Sequence, residues 1–106
     1  MEYFTWSWQR GEPSASTGCA LLGSNGRWHV AASCDEEHFV GCIPTDSTVS
    51  ATAELQWVLS TSQVSFSRAQ TACPSGYQFA LPLTGRMNKA LANLAGGQEI
   101  WVNLEL

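Results

Sequence analysis

At 106 residues the chain has room for one domain with a single core and not for two. Its 44% hydrophobic residues, against 13% charged, and its five Trp exclude an intrinsically disordered chain. A net charge of −4, with five Lys and Arg in no cluster, argues against nucleic acid or an anionic membrane surface as partner.

"EYFTWSW" is aromatic and β-branched and reads as a strand. It runs into "QRGEPSASTG", where Gly, Pro and Ser predict a long loop. "CALLGSNGRWHVAASC" has two apolar segments around Asn25-Gly26, a pair that tolerates the positive φ angles of a tight turn, so a β-hairpin is expected. "HFVGCI" is a further short strand, "PTDSTVSATAE" a polar connector, and "LQWVLS" a strand again. The stretch 55–67 is uncharged but too rich in Ser, Thr and Gln to span a bilayer. "SFSRAQTAC" predicts a short helix with a Ser cap, ending before Pro74. "LTGRMNKALANLAGG" is the clearest helix: Thr84 as cap, Met87, Leu91 and Leu94 at helical spacing, and Gly96-Gly97 as the stop. "EIWVNLEL" closes as a strand. The fold class is α+β, with two short helices and antiparallel sheets.

The four cysteines, Cys19, Cys34, Cys42 and Cys73, show no C-x-x-C spacing. That disfavours zinc and thioredoxin-like chemistry and favours two structural disulfides, hence an oxidising compartment; four buried free thiols are the alternative that spacing leaves open. Met1-Glu2 is not followed by a basic region and an apolar run, so no signal peptide is expected. The chain reads as extracellular or secreted, or as a piece of a larger secreted or surface protein.

Several features in joint register resemble the C-type lectin-like domain, in circularly permuted order. Trp6 lies before Gly11-Glu12-Pro13, Trp28 follows the Asn-Gly turn, and Cys34 precedes Cys42 by a short interval. Ala69 and Cys73 sit on the first helix, and Trp101-Val102 close the strand after the second. In that family a strand, two helices and a further strand precede a ligand-binding loop with an E-P-N-like motif and a cysteine-flanked hairpin carrying W-N-D. Here residues 1–43 look like the second half, 44–54 like a connector, and 55–106 like the first half; the likeness covers residues 4–104 apart from the connector. The family's two chain ends lie side by side as neighbouring strands, and a connector of this length costs little closure entropy. A true permutation, a piece cut out of phase from a tandem array, and an exchange of halves between two chains all fit, so a closed monomer or a simple homodimer is expected. The resemblance implies Cys19–Cys34 across the hairpin and Cys42–Cys73 from the last strand to the first helix.

It also implies a site. Calcium takes roughly six to eight oxygens, several from carboxylates. Sugar-binding members supply them from the Glu and Asn around a Pro, a further Glu, and the Asn-Asp after Trp. In this chain Glu12 keeps the first carboxylate and Pro13 the bend. Ser14 stands for the Asn, Gly18 or a neighbouring Ser or Thr for the second acid, and His29-Val30 for Asn-Asp. Val30 offers no side-chain oxygen and His29 prefers softer metals. The expectation is a degenerate calcium site with Glu12 as its remaining metal ligand and no cofactor required. Trp8 could stack on a sugar ring, with Arg10, Glu12, Ser14 and His29 as hydrogen-bonding partners, or could be a core residue. Trp6, Trp28, Trp57 and Trp101 are assigned to the core. Asp35-Glu36-Glu37 reads as a solvated turn before a secondary cation site, and His38 as an exposed residue with no partner.

There is no G-x-S-x-G elbow and no phosphate loop, and neither His has an identifiable acidic partner, so the chain is not read as an enzyme. The expected function is recognition of a glycan or cell-surface glycoconjugate. The competing class is a protein-interaction or oligomerisation module that uses the same scaffold for adhesion, without sugar or calcium.

Overall fold

The computed structural model describes residues 18–45, 57–82 and 85–105. The first predicted strand, the connector beyond residue 45 and the Thr84 cap lie outside these residues. The elements run β1 Cys19–Leu22, β2 Trp28–Val30, β3 Phe39–Pro44, β4 Val58–Leu59, α1 Ala69–Ala72 after a 3-10 turn Phe66–Arg68, β5 Tyr77–Phe79, α2 Gly85–Ala95 and β6 Ile100–Glu105. The fold is thus α+β: one mixed six-stranded sheet and two short helices, with two disulfides, Cys19–Cys34 and Cys42–Cys73.

The expected hairpin is β1–β2, with Leu22 opposite Trp28 and Ala20 opposite Val30. Its turn is wider than a two-residue Asn-Gly turn. Gly26 donates to the Gly23 carbonyl at 3.0 Å and Gly23 to Arg27 at 2.8 Å. Gly26 alone takes positive φ, 78°, while Asn25 uses its side chain to accept from the Arg27 amide. Glycine meets the steric demand and Asn25 the polar one.

The strand order is β2-β1-β6-β3-β4, with β5 on the C-terminal half of β3. The last strand of the chain therefore lies between two strands of residues 1–43. The expectation of purely antiparallel pairing is corrected at one place: β6 runs parallel to β3, with Phe39 opposite Ile100 and Val40 opposite Trp101. Both helices lie between these strands in sequence, and a parallel pair needs such a long crossover. β5 was not anticipated, since "YQF" is too short to show a period. It forms because Gly76 lets the chain turn back and the Ala80 amide then reaches Gly41.

Each face of the sheet has its own core. On one face α2 covers Ala20, Leu22, Trp28, Trp57, Ile100 and Val102 through Met87, Leu91 and Ala95. The missing side chain of Gly41 lets Leu91 and Trp57 approach β3; a Cβ there would meet Leu91 Cδ2 at 3.0 Å. Leu94, expected on the apolar stripe, is 45% exposed; Ala95 and Asn88 take the inward positions. On the other face lie Cys19, Leu21, Val40, Cys42, Ala69, Phe79 and Trp101, with Cys34, Cys73 and Phe66 packed against them. Ser65 occupies the cap position of the 3-10 turn but makes no side-chain cap bond.

The three described indoles, all buried as assigned, each place their N–H. Trp28 donates to Asn88 Oδ1 at 2.9 Å, Trp57 to the Met87 carbonyl at 3.1 Å, and Trp101 to the Val64 carbonyl at 2.8 Å. Asn88 passes the bond on, donating to the Gly26 carbonyl at 2.7 Å, so helix and hairpin turn are tied through one buried amide. No described helix is long and apolar enough to cross a membrane.

Candidate functional site

Of the residues expected to bind ligand, Trp8, Arg10, Glu12 and Ser14 lie outside the described residues; His29 is described. His29 sits on the edge strand β2, opposite Leu21. Its Nε2 pairs with Glu99 Oε2 at 2.9 Å, with the imidazole 21% exposed, and its Nδ1 is buried without a hydrogen-bond partner among the described residues. The expectation that neither His has an acidic partner is thereby corrected for His29: Glu99, seventy residues away in sequence, is delivered by the turn into β6.

Of the positions that the resemblance gives for further carboxylates, Gly18 and Val30 are described, and the neighbouring Ser and Thr before Gly18 are not. Gly18 has φ 141°, and a Cβ on it would come within 2.6 Å of Val30 Cγ1. Only glycine fits there, so no acidic side chain can be placed at 18 while Val30 fills the neighbouring space. Among the described residues no group of three or more His, Cys, Asp or Glu could hold a metal; Glu12, the expected metal ligand, lies outside them.

The acidic run after Cys34 is a hydrogen-bonded turn. The Ser33 amide donates to Glu36 Oε2 at 3.2 Å, and the Asp35 amide donates to Ser33 Oγ at 3.0 Å. Glu36 Oε1 lies 2.8 Å from His38 Nε2. The His38 hydrogen bond holds the Glu36 carboxyl below the usual carboxylate range; desolvation opposes it and the Ser33 amide adds to it. His38 was expected to be exposed and unpaired. Instead its side chain is 16% exposed and meets Trp101 edge-on, with ring centroids 5.1 Å apart. Backbone bonds between His38 and Val64 in both directions hold it there.

Beside this turn a groove of about 350 Å³ opens along the Cys19–Cys34 disulfide. One wall carries Phe66, Ser67 and Gln70 from the start of the first helix; the other carries Asn103 and Glu105 from the end of β6, with Asp35 at the rim. The Phe66 ring is wedged edge-on against Trp101 and Phe79, at 5.3 and 5.6 Å, so that wall is backed by the core. The Phe66 amide donates to the Cys34 carbonyl, fixing the wall to the disulfide. The described lining holds two carboxylates, two carboxamides and a hydroxyl, and no Lys, Arg or His. A second hollow of about 300 Å³, between the hairpin turn and α2, has the opposite character, with Arg27 and Lys89 in its lining.

Sequence reasoning missed the groove, because its walls come from four separate stretches. One signal was present: along "WVNLEL" the alternation puts Asn103 and Glu105 on the Trp101 side, two polar residues on a face that is otherwise buried.

No family model matches the chain, and no solved structure matches it with significance. Two proteins of Mycobacterium tuberculosis, "Uncharacterized protein Rv2075c" of strain H37Rv and "Uncharacterized protein MT2135" of strain CDC 1551, are each 41% identical to it over 93 residues. The match covers 86% of this chain but only 17% of either relative, so the chain spans about a sixth of their length. Neither block, 1–43 or 55–106, could contain a match of that length, so these relatives carry both blocks in the same order as this chain.

Proposed function

We propose that the chain is an extracellular recognition module with a circularly permuted C-type lectin-like fold, binding a carbohydrate or glycoconjugate without resident calcium. The observation that carries this reading is the pairing of β3 with β4, Gly41 opposite Leu59 and Cys42 opposite Val58. These strands lie on either side of the connector, and they are neighbours, as the resemblance implies for the family's two chain ends. The insertion of β6 between β1 and β3, and both disulfides in the implied pairing, add support. The mycobacterial relatives carry the two blocks in the same order, which both a permutation and a piece of a longer tandem array would give. Disulfides and the lack of a membrane-spanning helix among the described residues are compatible with an extracellular location.

The calcium-free reading is supported by the crowding at Gly18, where a Cβ would come within 2.6 Å of Val30 Cγ1. With glycine at 18 and valine at 30, recognition in this reading rests on side-chain hydrogen bonds and aromatic stacking. A glycan array read with and without EDTA, beside light scattering, tests the proposal. Saccharide binding that EDTA leaves unchanged is the expected result. No binding to any glycan, together with a tight dimer, overturns it in favour of an assembly module.

A further inference from the structure

We infer that the groove along the Cys19–Cys34 disulfide is a saccharide subsite selective for sugars carrying a protonated amine, and that it rejects acidic sugars. This rests on the glycan-binding reading above and assigns the ligand's charge to a place in the fold.

The volume, about 350 Å³, falls in the range of small-ligand clefts. Its walls are rigid where it matters. Phe66 is held by two aromatic contacts and by its amide bond to Cys34, and the covalent disulfide forms part of the lining. Carboxylates accept from sugar hydroxyls and carboxamides both accept and donate, while an aromatic side chain offers apolar surface to the C–H groups of a sugar ring.

The charge decides the class. Asp35 and Glu105 face the groove, no cation lines it among the described residues, and the neighbouring Arg68 is not part of the lining. An acidic sugar would meet two like charges with no cation to offset them in the described lining, whereas an ammonium would be attracted by both carboxylates. Arg27 and Lys89 line the separate hollow beside α2. Asp35 and Glu105 are both exposed and neither packs in the core, so replacing them leaves the fold intact.

The experiment is calorimetric titration of the intact protein, in mildly acidic low-salt buffer, with three probes of matched length. These are a fully de-N-acetylated chito-oligosaccharide, its N-acetylated counterpart and an oligogalacturonate, with trilysine as a cation that is not a sugar. The de-N-acetylated oligomer should bind tightest, the acetylated one about tenfold more weakly, and the oligogalacturonate not at all. Asp35→Asn and Glu105→Gln should each weaken the amine-bearing oligomer by about two- to fivefold, and added salt should do the same to the wild type. The acetylated oligomer should be nearly indifferent to both changes. Equal binding of the two chito-oligosaccharides overturns the amine requirement and leaves the glycan reading standing. Unchanged affinity in the double variant overturns the groove as the seat. Binding of trilysine with none of the sugars overturns the groove as a saccharide subsite and makes it a site for cations. No binding of any probe overturns the subsite alone, since the array above tests glycan binding without reference to charge.

Discussion

The two faces of the sheet are held in different ways. The α2 face is covered by an eleven-residue helix that buries Met87, Leu91 and Ala95 against two Trp, and it contains no disulfide. The opposite face has a four-residue helix and a 3-10 turn, too little surface to build a comparable core, and both disulfides lie there. Cross-links replace buried area where the chain is too short to supply it, a common economy of small secreted domains. The difference also separates the jobs. The helix-covered side carries a hollow with Arg27 and Lys89 in its lining, while the cross-linked face carries the groove with Asp35 and Glu105 beside the Cys19–Cys34 bond.

The largest test of that contrast is to remove a cross-link. Cys42→Ala with Cys73→Ala should cost about 4 kcal/mol, by the loop-entropy estimate for two residues 31 apart. Denaturant melts give the total, and hydrogen exchange should show the loss first around α1 and β5, with α2 retaining its protection. Equal loosening of both faces would sink the division. On the other side, Leu91→Ala should cost about 3 kcal/mol, through lost transfer energy and a cavity between α2 and Gly41. Exchange should then rise along α2 while the disulfide face holds.

A smaller effect is expected at the one buried side-chain amide that ties helix to hairpin. Asn88→Ala removes the bonds from the Trp28 indole N–H and to the Gly26 carbonyl, a cost of about 2 kcal/mol. A thermal melt with Trp fluorescence reads it, and a change below about 0.5 kcal/mol would mean water restores both bonds. The smallest effect is on the groove side. Glu36 has its folded pKa depressed, chiefly by the His38 hydrogen bond. Its contribution is therefore complete above the ordinary glutamate value, about 4.3, and is lost as the pH falls through the lower folded value. Stability should decline with acid below that range, and Glu36→Gln should flatten that part of the profile without changing its slope above neutrality.

Much of the local structure was legible along the chain. "CALLGSNGRWHV" announces a hairpin because its apolar segments flank a turn pair, although the turn closes through Gly23 and Arg27 instead of two central residues. "RMNKALANLAGG" announces a helix with its stop. The cysteine pairing came from the resemblance, since four cysteines of this spacing permit three arrangements. The site was legible only in part: the candidate positions around 18 and 30 came from the resemblance, whereas the partners of His29 and His38 could not be read at all. Glu99 reaches His29 across the sheet, and Trp101 meets His38 because β6 lies beside β3.

The sequence by itself determined what short-range chemistry decides: where glycine must turn the chain and which stretches have a buried face. The tertiary structure alone decided that β6 enters between two strands of the other block, running parallel to one of them. It also decided that an acidic turn, a short helix and a strand end enclose a groove. Each of these depends on contacts between residues tens of positions apart, and no local propensity encodes which distant segments will bury each other's surface.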